Sequence, residues 1–342
     1  MRYTVGIGRY FGIPLRVHAT FPLVLVAYAA VAWQAGTAAD ALHAVALVAA
    51  LFACVVLHEF GHCLQARRYG VRFRDIVLFP IGGVARAESI PEEPAHEIRV
   101  AIAGPVVNFV IAGLIFGGFA LAGRPPHDDA FLLELAWANL FVGIFNLTPA
   151  FPMDGGRILR GALATRMPYL EATRRARDVA QLVALAMLAL AFVDFSFALL
   201  SVIAVLVFVG GMLEERAVCA RARLSGRRVG ELVDVETPVM SVGDRVEAVA
   251  RRAGVRVAPA FALAGEAGAL AGVVATADVL RAMRDGRAGD ELGSIASRDF
   301  LIADASTEAA RVYTHLRESN KPFAAVVDGD RFVGLFHAVD SW

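Results

Sequence analysis

Apolar residues run in long unbroken stretches through the first two thirds of the chain and in short, interrupted ones through the last third. Stretches of about 20 apolar residues are long enough to cross a hydrocarbon layer as helices. Six qualify, near 17–35, 42–66, 97–122, 131–151, 178–193 and 196–213, the last two forming a tight hairpin around Asp194. Between the second and third, the segment 71–89, "VRFRDIVLFPIGGVARAES", is too broken for a spanning helix. It predicts short strands with a Gly82-Gly83 turn, dipping into the membrane against protein. From 214 onward the residue mixture is that of a water-soluble domain, and it repeats itself. "AGALAGVVATADVL" (267–280) and "GDRFVGLFHAVD" (329–340) each give a turn, a strand and then an aspartate opening a helix, which predicts two α/β units of roughly 55 residues.

Composition sharpens this division. Of 342 residues 57% are hydrophobic and 19% charged, and the mean hydropathy of +0.58 lies well above that of a soluble domain. A net charge of zero leaves no electrostatic footprint for a nucleic acid. Cys54, Cys63 and Cys219 are too few for a disulfide framework and read as buried thiols. The first apolar stretch is too long, and too poor in a small-residue cleavage site, for a removable signal peptide. Basic residues set the orientation, because cytoplasmic loops collect them. Arg2, Arg9 and Arg16 precede the first stretch, Arg67, Arg68, Arg72 and Arg74 follow the second, and Arg157, Arg160, Arg166, Arg174, Arg175 and Arg177 follow the fourth. Arg216, Arg221 and Arg223 follow the sixth, while the opposite loops hold only Arg124. Both termini and the soluble tail are therefore expected in the cytoplasm, a parity that six crossings satisfy.

The second apolar stretch ends in His58-Glu59-Phe60-Gly61-His62. Residues four apart on a helix share a face, with Cβ atoms about 5 to 6 Å apart, so both imidazoles can reach one tetrahedral Zn²⁺. Glu59 lies about 100° round from His58, where it can serve as general base toward an activated water. Gly61 removes a side chain and allows a neighbour close approach. A charged group at the centre of a spanning helix costs about 2.5 to 3.5 kcal/mol. A metal would offset that, and the plainer alternative is polar residues that only tie helices together. A catalytic zinc takes a third protein ligand and leaves one position for water. Asp154, in "FNLTPAFPMDGGRIL", is the candidate, at the same membrane face as the histidines. Pro149 and Pro152 stop helical bonding and Gly155-Gly156 permits unusual backbone angles. Irregular backbone at membrane depth is tolerated only where protein buries it or water reaches it. The alternative for Asp154 is a helix N-cap ahead of Arg157. His18 opens the first helix as an interfacial anchor, His43 falls on the far face, and Cys63 points about 100° away from His62.

Through "HEFGH" (58–62), "LFPIGGVA" (78–85), "AGPVVNF" (103–109) and "NLTPAFPMDGGR" (146–157), residues from about 5 to 213 resemble the site-2 protease family of intramembrane zinc metalloproteases, peptidase family M50. The resemblance implies one Zn²⁺ per chain on His58, His62 and Asp154, with Glu59 as catalytic acid/base and no further cofactor. It implies that Asn108 and Asn146 steady the substrate backbone or the oxyanion; the alternative for each is an amide bonded to another helix. The β segment, with Gly82 and Gly83, would take substrate as an added extended strand; the plainer reading is a structural plug over the cavity, and the two are compatible. Residues 229–284 and 289–340 resemble a tandem of CBS regulatory domains. Such pairs often bind adenine nucleotides, with a Ser or Thr three positions before a terminal Asp touching the ribose. Asp278 and Asp340 are present, but Ala275 and His337 occupy the hydroxyl positions, which departs from that pattern. Modules that only hold a substrate tail or form a homodimer are the alternative.

The expected fold is an α-helical membrane protein of six transmembrane helices with a short membrane-dipping β segment, plus a cytoplasmic α/β tandem CBS domain. Its divisions are 1–216 for the metalloprotease domain, 217–228 for a linker, and 229–285 and 288–342 for the CBS domains. The expected activity is that of a zinc metalloendopeptidase acting in regulated intramembrane proteolysis, on a peptide bond in or near a transmembrane segment, in a bacterial or archaeal cell membrane. Its partners are a transmembrane protein substrate and the lipid bilayer, with no nucleic acid. The rival reading is a non-enzymatic zinc-binding transporter or sensor gated by the CBS tail. Transporters pair two broken helices, and this chain shows one strongly broken end, near Asp154.

Overall fold

The computed structural model describes residues 4–80, 82–87, 93–123, 125, 129–193, 198–233, 237–252, 260–264, 270–298, 300–319, 321, 323–329 and 331–337. They form two compact units, 1–218 and 219–342. In the first, a hairpin of β1 (Thr4–Tyr10) and β2 (Ile13–His18) leads into α1 (Phe21–Ala35) and α2 (Ala38–Arg67). Next come β3 (Phe73–Phe79), β4 (Gly82–Ala87), α3 (Pro94–Leu121), α4 (Ala130–Asn146), α5 (Asp154–Ala164), α6 (Tyr169–Val193) and α7 (Ala198–Leu224). Of these, α2, α3, α6 and α7 are long and apolar enough to cross a membrane, while α1, over Phe21–Gln34, and α4 are shorter apolar helices.

Helices associate poorly through leucine where the solvent is itself hydrocarbon, so close backbone approach over small residues takes over. The buried positions follow that rule. On α6 they include Ala172, Ala176, Ala180 and Ala184, one per turn, and on α4 Ala136 and Gly143. A Cβ on Gly61 of α2 would lie 2.8 Å from the Ala103 carbonyl of α3, so that glycine sets the α2–α3 spacing. At its start α2 is held by a capping box, in which the Thr37 hydroxyl accepts from the Asp40 N–H and the Asp40 carboxylate accepts from the Thr37 N–H at 2.6 Å.

Several boundaries differ from the sequence expectation. His18 closes β2 instead of opening a helix, because Ile13–His18 pairs with β1 on one side and β3 on the other. The glycine-containing β1–β2 hairpin was not expected. With it the sheet has four strands in the order β1-β2-β3-β4, and Ile13, Leu15, Ile76 and Leu78 pack on Phe60 and Cys63 of α2. Gly82 and Gly83 are not the turn; they lie within β4, opposite Phe79 and Leu78. The fourth helix stops at Asn146, short of 151, since prolines at 149 and 152 withdraw two N–H donors from any next turn. Asp194, Arg124 and Asp340 lie outside the described residues.

The second unit uses one topology twice. β5 (Val239–Ser241), α8 (Val246–Arg252), β6 (Ala260–Ala264), β7 (Leu270–Ala275) and α9 (Thr276–Arg284) come first. β8 (Leu301–Asp304), α10 (Ala309–Ser319), β9 (Phe323–Asp328) and β10 (Arg331–His337) follow. In each repeat the first two strands are parallel and the last two antiparallel. A parallel pair cannot be joined by a tight hairpin, and α8 and α10 make the crossovers. Ala260 and Val273 of one sheet pack with Phe323, Ala325 and Leu335 of the other.

Candidate metal centre

The site is assembled from α2, α3 and α5. His58 and His62 project from the same face of α2, and their rings meet edge to face with centroids 4.7 Å apart. Their Nε2 atoms are 3.0 Å from each other. Asp154, the first residue of α5, completes a triangle, its Oδ2 lying 3.3 Å from His58 Nε2 and 3.2 Å from His62 Nε2. His58 is 5% exposed and Asp154 8%. Asp154 is not an N-cap; Met153 holds that position, and the carboxylate turns to the histidines instead.

Three lone-pair atoms facing one another is an arrangement that asks for a cation. His62 Nδ1 donates to the Val100 carbonyl at 2.8 Å, which leaves the His62 Nε2 with a bare lone pair. Asp154 Oδ2 is buried and has no hydrogen-bond partner. A tetrahedral zinc with bonds of about 2.0 to 2.1 Å holds its ligand atoms about 3.3 to 3.4 Å apart, close to the spacing of this triangle. Two imidazoles and one carboxylate are also an ordinary donor set for catalytic zinc, and they are the metal-capable group found among the described residues.

Neighbouring glycines make room for the triangle. A Cβ on Gly104 of α3 would come within 2.3 Å of His62 Nε2 and 2.6 Å of His58 Nε2. One on Gly83 of β4 would stand 2.7 Å from Glu59 Cγ, so β4 runs directly alongside Glu59. Gly155 and Gly156 lie in ordinary helix, not in unusual backbone. Their role is contact, because a Cβ there would meet the Leu147 and Thr148 carbonyls at 2.3 and 2.2 Å, and the Phe151 nitrogen at 2.6 Å.

The remaining candidates separate cleanly. Asn108 is fully buried, its Oδ1 2.6 Å from His58 Nδ1 and its Nδ2 donating to Asn139 Oδ1 at 2.9 Å. Asn146 donates to the Val142 carbonyl of its own helix at 3.0 Å. His18 stacks on Phe79, His43 pairs with Glu134, and Cys63 packs in the apolar core beneath the sheet; none joins the triangle. Sequence reasoning missed Asn139, which stood out only as one amide in an apolar run. It also missed Arg160 of α5, 2% exposed, which donates to Glu97 of α3 at 2.8 Å and to Glu214 of α7 at 2.6 Å. The guanidinium lies 5.0 Å from the ring centres of Phe151 and Tyr169. Burial works against its charge, but the two carboxylates raise its pKa above the ordinary arginine value. This clamp ties the helix that bears Asp154 to two others.

The profile of peptidase family M50 matches residues 46–131 and 127–193, a span that contains the whole triangle and Glu59. Over those residues the chain is similar to peptidase family M50. Among its relatives, a zinc metalloprotease of Methanocaldococcus jannaschii is 38% identical over 223 residues, covering 64% of this chain. The chain spans 62% of the length of that relative. A solved site-2 protease from the same organism is 35% identical, with a TM-score of 0.48 over 62% of this chain and 95% of the other. The Rip3 protein of Mycobacterium tuberculosis is 27% identical over 98% of this chain and 91% of its own length, so that similarity runs through both units. The relatives from Methanocaldococcus and Mycobacterium carry the name of zinc metalloproteases, and zinc is the cofactor that the donor set of this chain fits.

Proposed function

We propose that the chain is an intramembrane zinc endopeptidase that hydrolyses a peptide bond in or near a transmembrane segment of a membrane protein. The observation that carries the reading is the convergence of His58, His62 and Asp154 within 3.0 to 3.3 Å, with Glu59 next to His58 on the same helix. In this reading those three residues are the zinc ligands. Zinc, when bound, supplies Lewis acidity at the scissile carbonyl. Glu59 takes a proton from the attacking water and returns it to the leaving amine. Asn108 orients His58. The outer edge of β4 has no partner strand among the described residues. It would take the substrate as an added extended strand, exposing a peptide bond that a helix would hide, with Gly82 and Gly83 against it and Asn146 on the substrate backbone.

In the same reading α1 and α4 complete six crossings, the arginine-bearing ends lie on the cytoplasmic side, and the sheet dips into that leaflet. The two repeats over 229–285 and 288–342 form a CBS pair that regulates the peptidase. With Ala275 and His337 at the hydroxyl positions, a homodimer contact or a grip on the substrate tail suits the pair better than an adenine nucleotide.

The test compares cells carrying the parent and Glu59→Gln, reading new termini in the membrane proteome by mass spectrometry, with zinc measured on the purified chains. Glu59→Gln should retain about one zinc while fragment yield falls by at least about a hundredfold. A Glu59→Gln chain that cleaves like the parent overturns the peptidase mechanism, and zinc flux through vesicles without any cleavage would favour the transporter reading.

A further inference from the structure

We infer that Asn139 is a positioning residue that fixes which nitrogen of His58 faces the metal, an inference that rests on the zinc-peptidase reading above. Three hydrogen bonds run in series from a backbone carbonyl to the metal centre. Asn139 Nδ2 donates to the Leu135 carbonyl at 2.9 Å, Asn108 Nδ2 donates to Asn139 Oδ1 at 2.9 Å, and Asn108 Oδ1 lies 2.6 Å from His58 Nδ1. A carbonyl oxygen only accepts, so the amide at 139 turns its NH₂ toward Leu135 and its oxygen toward Asn108. Asn108 must then turn its own NH₂ to Asn139 and its oxygen to His58. An oxygen facing Nδ1 obliges that nitrogen to carry the ring proton, and a neutral imidazole has only one. Nε2 is left with its lone pair, aimed at Asp154 and His62.

His62 obtains the same tautomer in one step, from the Val100 carbonyl. For His58 the adjacent group is an amide, which could face either way until something anchors it. Asn139 is that anchor, and it carries the direction from α4 through α3 to α2. Both amides are 0% exposed, so water cannot stand in for a missing link. Partners that orient a ligating histidine through its second nitrogen typically govern metal affinity by about 10- to 100-fold.

The experiment measures zinc affinity by chelator competition on the full chain in detergent. Asn139→Leu should weaken zinc about 10- to 100-fold, and Asn139→Ala serves if leucine disturbs packing. Thr173→Val removes an equally buried polar group, one bonded to the Tyr169 carbonyl of its own helix, and should leave affinity unchanged. Asn108→Asp placed in the Asn139→Leu chain offers an oxygen to Nδ1 whichever way it turns, and should restore the parent affinity. Nitrogen-15 spectra of zinc-free, histidine-labelled protein supply the second readout: His58 should change from the Nδ1–H tautomer to a mixture in Asn139→Leu and return in the double variant. Parent-like affinity in Asn139→Leu, or a loss that Asn108→Asp does not repair, overturns the inference. Parent-like affinity in His58→Ala would instead sink the metal centre itself.

Discussion

Of the nine buried polar or charged residues among those described, eight lie in the membrane-helix unit and one, Thr237, lies in the α/β unit. Exposed large apolar side chains show the same bias, with only Val239, Leu280, Met283 and Ile302 of the described residues belonging to the α/β unit. The two units thus have opposite polarity gradients, which follows from their solvents. In water a buried polar group gives up hydration, so the α/β unit keeps a core of Leu316, Val312, Val326 and Phe336. In lipid the outside is the costly place for a charge, and the interior becomes the place where imidazoles, amides and carboxylates can be kept. The proposed hydrolytic site would need that inverted interior.

The contrast can be broken at three points of decreasing effect. Gly104→Ala forces a methyl group into the ligand triangle, and zinc content should fall below about a tenth of the parent's, as for loss of a ligand's orientation. Metal analysis of the purified chain checks this, and the α/β unit should keep its unfolding transition. Arg160→Met leaves the Glu97 carboxylate, 5% exposed, without its cation. Breaking a buried pair in this way costs about 3 to 5 kcal/mol, so the denaturation midpoint of the membrane unit should drop. If the midpoint does not move, the clamp on α5 contributes little. Leu316→Ala in α10, fully buried, should cost about 2 to 5 kcal/mol by leaving a cavity. That loss should appear in the α/β transition with zinc stoichiometry intact; zinc lost alongside it would contradict the independence of the two interiors.

Legibility in the sequence tracked the range of the interaction. His58 and His62 could be read because helical periodicity alone puts them on one face, and Asp154 because prolines and glycines around it announced irregular backbone. The place of β2 inside a sheet was hidden, since its second partner, β3, comes more than fifty residues later. Gly155 and Gly156 were read as freedom of the backbone, whereas their reason is the 147–151 segment packed against them. Asn139 and Arg160 have partners on other helices, and no local pattern distinguishes such residues from solvated ones. Gly83 was placed in a turn for the same reason: what demands a glycine there is Glu59, on another element.

Two of the three metal-facing side chains ride on α2, and the third arrives about ninety residues later, at the start of α5. During translation the ribosome must therefore deliver α3 and α4 to the bilayer before the cage can close. An ion held by all three would then have to wait for the start of α5, with α6 and α7 still to follow.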